Sequence, residues 1–544
     1  MSYNKTIDSH VIDMFAVHET NFLKSSGMSG SKNHLAAMNG PSVLEWGNAV
    51  QMSYMTSSTT AQVLDSYLAN VSYWYDERYG VTANYRADGS SKFARGHRWG
   101  HFGSVGATWK FTNEQFLQEQ DWLKDGKLRL SWGANGNQGI SNFLYQDQYS
   151  IEYVDGEVGY VWTYKGAEDI TWERTQVVDL GLEFSISKYL TAEIDYFYKY
   201  TDHLLMPKYT ASSQGYSYNW VNGGSMSNNG VEFQFNVHAV DTRNVKLDIR
   251  LNGGHYHNKV LTLPEDIDTE TEMIYNGGIA KGHSLYDYNM PQYAGVDENT
   301  GKALYVAYYD ANLGTFGYTS ATERQVRGEK GANYIGNVYL YREEHPDADI
   351  QTTTTEMYPY AGSDYIGKSA EFALEGGIGF DLEVYGVSLS VMCPYRIGGY
   401  GVDYSYAQLM NSDKVGRVNW HVDMRNAWNA QMTAEEKKAV ADMGKAGIPR
   451  LSNGTDTYAN STSDRFLVSN SYLSLYNVRL GYKFQKKLIE KIKLNQLELY
   501  VTADNLAILS ARKGYNPMTS YAGASDSYQY TPLSTVMGGI KLQF

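Results

Sequence analysis

Apolar and polar residues alternate one by one along much of this chain. In "DLGLEFSIS", Leu180, Leu182, Phe184 and Ile186 fall on one face, with Glu183 and Ser185 on the other. "TAEIDYFYKY" sets Ala192, Ile194, Tyr196 and Tyr198 against Glu193 and Asp195. "GVEFQFNVHAV" sets Val231, Phe233, Phe235 and Val237 against Glu232, Gln234, Asn236 and His238. "NVKLDIRLN" repeats the pattern with Val245, Leu247, Ile249 and Leu251 against Lys246, Asp248 and Arg250. The chain also ends this way: "TVMGGIKLQF" lines up Val536, Gly538, Ile540, Leu542 and Phe544. A period of two is that of a β-strand with one apolar and one wet face. We count about fifteen such strands, most of roughly 9–15 residues, long enough to cross a bilayer core at a tilt. Strands of soluble sandwiches are shorter, about 5–6 residues.

The connections alternate between short and long. "ERYG", "KYL", "DTRN" and "YG" (385–386) are tight, and the basic linker "QKKLIEKIKLNQ" is short enough to hold one helical turn. The long connections fall at about 21–63, 137–170, 207–227, 259–369, 400–469 and 510–533. Outer-membrane barrels keep short turns at one end and long loops at the other. The fold this predicts is all-β, a transmembrane antiparallel up-and-down β-barrel. One larger segment interrupts the short side, "TNEQFLQEQDWLKDG". It predicts a helix with Thr112 at the N-cap, Gln115 three residues on, and a stripe of Phe116, Leu117, Trp122 and Leu123.

Composition agrees without deciding. Gly (52) and Tyr (48) are abundant and Pro is scarce (10), as in a chain of many strands and tight turns. No run of about 18 apolar residues exists, which excludes a helical membrane span. The mean hydropathy of −0.47 fits a soluble protein and a membrane barrel equally, since half of each barrel strand is polar. Tyr and Trp gather at strand ends, in "VSYWYDERYGV", "DYFYKY" and "RWGHFG", where barrels carry their aromatic girdles. A net charge of −14 argues against a nucleic-acid partner. The single cysteine, Cys393, excludes an internal disulfide and a Cys-based zinc cluster, and it sits with Val387, Leu389 and Val391 on an apolar face. The opening "MSYNKTIDSHVIDMF" has no secretory signal, so either the protein is not exported or its true beginning lies upstream.

Chemistry is sparse, and no enzyme is expected. The carboxylate pairs Glu183 with Asp195 and Glu232 with Asp248 face each other across strands, as two glycosidase carboxylates do, but a polar lumen produces such pairs by chance. "HYH" (255–257) supplies two imidazoles where a metal site needs three or four ligands. "PEDIDTETE" (264–272) and "DENTG" (297–301) lack the spacing of a twelve-residue calcium loop. No metal site is expected. "GGIGFDL" reads as a strand with small residues rather than a phosphate cradle. Ligand contact is expected from aromatic platforms beside amides: Trp162, Trp220 and Trp420 lie in or beside long connections, and Asn219 and Asn222 flank Trp220.

Several stretches, taken together and in order, resemble the SusC/RagA-type TonB-dependent outer-membrane transporters. They are "YRADGSSKF" (Tyr85–Phe93), "RWGHFGSVGATWKF", "LKDGKLRLSWGANGNQGI", "ITWERTQVVDLGLEF", "DYFYKYTDHLL", "NGGSMSNNGVEF", "NSYLSLYNVRLGYKF", "ADNL", "GYNP" and the terminal Phe544. The likeness runs from about Asp65 to the end. It implies a barrel of about 22 strands that imports oligosaccharides or peptides, with a SusD-like surface lipoprotein outside and the TonB complex inside. It also implies that Phe544 is an assembly signal for the barrel-assembly machinery, and that outer-membrane lipid surrounds the strands. The family's plug and TonB box have no counterpart here, so the expectation is a C-terminal part with about 15 of those strands, not competent alone. The alternative is a soluble or surface β-rich carbohydrate-binding protein, which would extract without detergent.

Overall fold

The computed structural model describes residues 1–35, 49–117, 120–154, 156–210, 212–216, 218–264, 273–274, 278–317, 333–411, 419–452, 458–490, 493–519 and 532–543. Fifteen strands form one antiparallel sheet whose spatial order is the chain order. The first eight are β1 (Ser2–Ile7), β2 (His10–Leu35), β3 (Ala49–Tyr75), β4 (Tyr79–Ser90), β5 (Trp99–Trp109), β6 (Leu123–Asn137), β7 (Glu173–Ile186) and β8 (Leu190–Asp202). The others are β9 (Ser225–Asp241), β10 (Val245–Thr262), β11 (Phe372–Val384), β12 (Val387–Gly398), β13 (Tyr472–Lys483), β14 (Gln496–Ser510) and β15 (Thr535–Gln543). This is the up-and-down barrel wall that the alternation predicts.

Register separates the two faces of the wall. Leu180 pairs with Tyr196, and Tyr196 with Val231, so the apolar positions run across neighbouring strands as one belt. Leu180, Val231, Ile378, Leu480 and Ile540 are 41–65% exposed. A soluble sandwich would bury such a face under a second sheet. Among the described residues no second sheet covers it. The opposite face carries ion pairs that step from strand to strand. Arg129 on β6 reaches Glu193 and Asp195 on β8, both at 2.8 Å. Farther round, Arg250 meets Asp381 at 2.5 Å, Lys483 meets Glu383 at 3.0 Å, and Arg479 meets Glu498 at 2.6 Å. Charges so paired belong to a hydrated surface.

Short turns collect at one end of the wall. Between β11 and β12, Tyr385 (φ 48°) and Gly386 (φ 91°) are both left-handed, the requirement of a primed two-residue hairpin turn. The basic linker between β13 and β14 forms one helical turn, Lys486–Ile489. At the other end the long connections fold into a cap. It includes the hairpin Gln148–Val154 with Glu157–Tyr164, the hairpin Leu205–Tyr209 with Tyr218–Asn222, and the sheet built from Tyr293–Val296, Ala303–Asp310 and Ile350–Thr355. The buried apolar clusters sit in this cap, around Phe93 and Trp172, Tyr293 and Tyr305, Tyr308 and Val338, Trp428 and Val440, and Met410 and Phe466.

Two expectations are corrected. The connection placed at 21–63 is mostly strand, because β2 runs on to Leu35 and β3 resumes at Ala49. The ribbon is exposed on both faces there, with scattered apolar residues such as Phe22, Leu23 and Met28 among polar pairs such as Ser26 with Thr59 (3.1 Å) and Ser29 with Thr56 (3.0 Å). Strand residues that meet water on both sides carry no alternation for the eye to find. The helix expected from Thr112 is absent among the described residues, which show a single 3-10 turn at Phe111–Asn113. Thr112 instead exchanges hydrogen bonds with the backbone of Gly126 on β6. Glu114 gathers donors from Arg78, Tyr79 and Trp109, which draws the segment flat against the turn between β3 and β4.

The two faces should answer differently to the same charge. Leu180→Arg places a guanidinium in hydrocarbon and is expected to cost about 2–4 kcal/mol in denaturant unfolding from lipid vesicles. Gln234→Arg, on the hydrated face of β9, should change stability by less than about 1 kcal/mol.

Candidate functional site

The segment Tyr85–Phe93 is where wall and cap join. On β4, alternation turns Arg86, Asp88 and Ser90 to the hydrated face. Arg86 Nε donates to both Asp88 oxygens at 2.7 Å, and its Nη2 donates to Ser66 Oγ at 3.1 Å. Ser90 then donates to the Gln138 side chain. Lys92 Nζ donates to the carbonyls of Gln138 (3.2 Å) and Ile140 (2.7 Å), which open the long connection after β6. Burial holds the Lys92 ammonium below its usual pKa. Phe93 is fully buried, packing with Ile140, Leu144 and Ile170, and its ring centroid lies 5.4 Å from that of Trp172. Trp172 Nε1 donates to Arg98 O at 2.8 Å. A Cβ at Gly136 would overlap the Phe102 ring, so glycine is what lets that ring lie against β6.

The same unit reaches the next connection through Asn222. Its Oδ1 accepts from Thr171 N at 2.7 Å, and its Nδ2 donates to Thr171 O (2.9 Å) and His203 O (3.0 Å). Beside this clasp lies a cleft of about 620 Å³, lined by Trp220, Asn219, Asn222, Lys165, Glu168 and Asp169 among others. Trp220 packs at the edge of the Phe93 cluster. Its backbone N–H donates to Tyr164 Oη at 3.4 Å, and burial raises the pKa of that phenol. Three of the five ligand candidates therefore line one cleft, but the amide of Asn222 is spent on holding two connections together. Asn219 and Trp220 are left as its lining amide and aromatic.

The other candidates lie apart. Trp162 stands edge-on to Tyr216 at 5.4 Å, and Trp420 packs by the Met410–Met424–Phe466 cluster, its Nε1 donating to Asn411 O at 3.2 Å. Phe544 and residues 265–272 of the acidic stretch lie outside the described residues. In "DENTG", Asp297 Oδ1 accepts from Asn299 N (2.9 Å), Thr300 N (2.7 Å) and Thr300 Oγ1 (2.9 Å). Burial alone would raise this carboxylate's pKa, and those hydrogen bonds outweigh it and hold the group below the usual range. The two imidazoles of "HYH" part company, His255 to Ala373 O and His257 to Glu371. No group of three or more His, Cys, Asp or Glu poised for a metal occurs among the described residues. Glu183 and Asp195 share Arg129 between them, and His238 engages Asp248 at 2.5 Å.

Sequence reasoning missed the clasp that ties down the largest connection. Glu371, just before β11, accepts from Asn258 N on β10 (2.8 Å) and from Ser284 Oγ (2.6 Å). Asn258 Oδ1 accepts from Leu285 N at 2.8 Å. Nothing in the local pattern marks a lone Glu as the partner of residues about a hundred positions upstream. Lys92 and Phe93 did carry a signal, since they close the quoted "YRADGSSKF", but a family motif does not say which contact it makes.

A family model described as "TonB dependent receptor-like, beta-barrel" matches residues 26–363. Among individual proteins, the chain is 24% identical to TonB-dependent receptor P3 of Formosa agariphila, over 99% of this chain and 50% of that protein. It is 26% identical to TonB-dependent receptor SusC of Bacteroides thetaiotaomicron, over 90% of this chain and 44% of that protein. Among solved structures, the RagAB peptide transporter covers all of this chain with 54% of its own, at a TM-score of 0.75 and 22% identity. That likeness is one of fold. The chain spans about half the length of the relatives it matches.

Lys92→Met removes two charge-assisted bonds from the junction. It is expected to speed amide hydrogen exchange across residues 138–147 by roughly thirtyfold, about 2 kcal/mol of local stability. The Asp297 turn should loosen with acid. Its folded pKa is depressed, so its contribution is complete above the unfolded Asp value of about 3.9. That contribution is lost as pH falls through the lower folded value, and Asp297→Asn should abolish this pH dependence in exchange measured over residues 297–301.

Proposed function

The chain belongs to the TonB-dependent receptor-like β-barrel family, and from that premise we propose that it serves TonB-dependent import of oligosaccharides or peptides, paired with a SusD-like surface lipoprotein. As a member of that family it is an outer-membrane β-barrel protein. The observation that carries the proposal is the union of a two-faced wall with a cap of long connections gathered at one end. Such a cap presents binding surface to the outside, while the hydrated face of the wall offers a route inward. RagAB, whose fold the chain shares, is described as a peptide transporter, which keeps peptides beside oligosaccharides as cargo. We assign no reaction. The pairing of every inner carboxylate considered as an acid or base with a cation, an imidazole or a tyrosine hydroxyl fits a conduit wall better than a catalytic centre.

In this reading the cleft at Trp220 and Asn219 is a contact point for cargo. An indole face beside a carboxamide suits a ligand with an apolar side and hydrogen-bonding edges. Trp220→Ala should weaken cargo binding about tenfold or more while the protein still assembles in the outer membrane, read by ligand titration against a heat-modifiability gel. Unchanged affinity would remove Trp220 from the site.

A further inference from the structure

The lipid-facing side of the wall changes character toward the cap. Along β10 it reads Val245, Leu247, Ile249, Leu251 and Gly253, then His255, His257 and Lys259. Register carries the change across the neighbouring strands. His257 pairs with Asn229, Asn229 with Tyr198, and Tyr198 with Val178. One rung higher, Lys259 pairs with Ser227, Ser227 with Tyr200, and Tyr200 with Gln176. The rung below joins His255 to Val231, Tyr196 and Leu180, and those three are 41–45% exposed. A strand tilted by about 40° climbs about 2.5 Å per residue. An apolar band about 25 Å tall therefore ends about ten residues above the short turn, which on β10 is the level of His255. Tyr196, Tyr198 and Tyr200 stand at the height where interfacial aromatics belong. The two upper rungs thus meet lipid headgroups rather than acyl chains.

The polar groups of these rungs are not consumed by the protein. Among the described residues, Lys259 and Asn229 make no side-chain hydrogen bond or ion pair. His255 commits Nδ1 to the Ala373 carbonyl at 3.0 Å, and His257 commits Nδ1 to Glu371 at 3.2 Å, so each ring keeps its Nε2 for an outside partner. The nearby carboxylates are already engaged, Asp202 by Arg174 at 2.6 Å and Glu371 by Asn258, Ser284 and His257. What remains is one uncompensated ammonium with an amide and two imidazoles beside it. Continuity fixes the occupant, because acyl chains cover this same face below and the groups above them are the headgroups of the same lipids. A zwitterionic headgroup would bring its own ammonium against Lys259. A phosphate on a sugar headgroup brings only acceptors and negative charge, the partner of choice for an ammonium at a membrane surface. We propose that His255, His257 and Lys259 form a contact site for the phosphate of an outer-leaflet glycolipid, with Lys259 as its fixed charge and Asn229 as a neighbouring amide donor. The proposal takes the cap end as the outside, as the import reading does, and asks nothing of the cargo.

The test uses the full chain in mild detergent with equal amounts of the phosphorylated and dephosphorylated forms of one glucosamine-disaccharide lipid. Native mass spectrometry counts the lipid retained, and a heat-modifiability gel checks the assembly of each variant. The unaltered chain should retain the phosphorylated form about fivefold or more over the other. Lys259→Gln should bring that ratio to within about twofold of parity, while Lys259→Arg, which keeps the charge, should preserve it. Lys246 lies on the opposite, hydrated side of the same strand, so Lys246→Gln should leave the ratio unchanged. Lys259 is exposed, and where Lys259→Gln does not assemble, His255→Gln decides, with an expected loss of about threefold or more. Equal retention of the two forms by the unaltered chain overturns the site. So does a preference that survives these substitutions, or one that falls equally with Lys246→Gln, which is attraction to bulk charge. The import reading fails on a different result, the absence of cargo binding.

Discussion

The structure depends on one constraint: a single layer of backbone separates hydrocarbon from water. In lipid every N–H and C=O must find its partner within the protein, since an unmet group costs several kcal/mol. Strands paired in chain order meet that demand by laddering each onto the next, and among the described residues only the outer edges of β1 and β15 have no strand beside them. The side chains then divide by parity. Even positions from Leu180 to Ile186 meet lipid, while the odd positions beside them, Gly181, Glu183 and Ser185, meet water. A wall of this kind needs no apolar core, because the bilayer takes the place of one.

That arrangement moves the burden of tertiary packing elsewhere. Most of the fully buried large side chains, Phe93, Tyr293, Tyr305, Val338, Met410 and Tyr515, belong to the connections, and Val260 sits at the end of β10 where the largest connection leaves the wall. They fold there as a soluble protein does, with aromatic contacts such as Tyr293 edge-on to Tyr305 at 5.7 Å. Burial pushes the Tyr293 phenol up to about 12, a sign of how dry that interior is. The wall and the cap are thus held by different physics, and residues 85–93 belong to both.

Much of the wall was legible in the sequence, because its alternation is a direct consequence of the two solvents. The turn at Tyr385–Gly386 and the helical turn at Lys486–Ile489 were legible for local reasons as well. What escaped was whatever the two-solvent rule does not govern. The outer reaches of β2 and β3 are wet on both faces, so strand looked like loop. The segment after Phe111 has helical spacing, but Glu114 and Thr112 found better partners on neighbouring strands. Around the candidate site, residue type pointed to Trp220 and Asn219, which share a cleft. It could not tell that the carboxamide of Asn222 is consumed by Thr171 and His203, nor that Trp162 and Trp420 stand elsewhere. Such facts are long-range pairings, and no local window contains them.

The clasp formed by Glu371 with Asn258 and Ser284 has a consequence for how such a receptor changes over time. It brings the departure and return points of residues 263–371 side by side on adjacent strands, so the closing entropy of so large an excursion is met at a single seam. An excursion hinged in this way is a module. It can be lengthened, shortened or exchanged with that of another receptor while the ladder beneath keeps its register, so the outer surface can be remade without disturbing the wall.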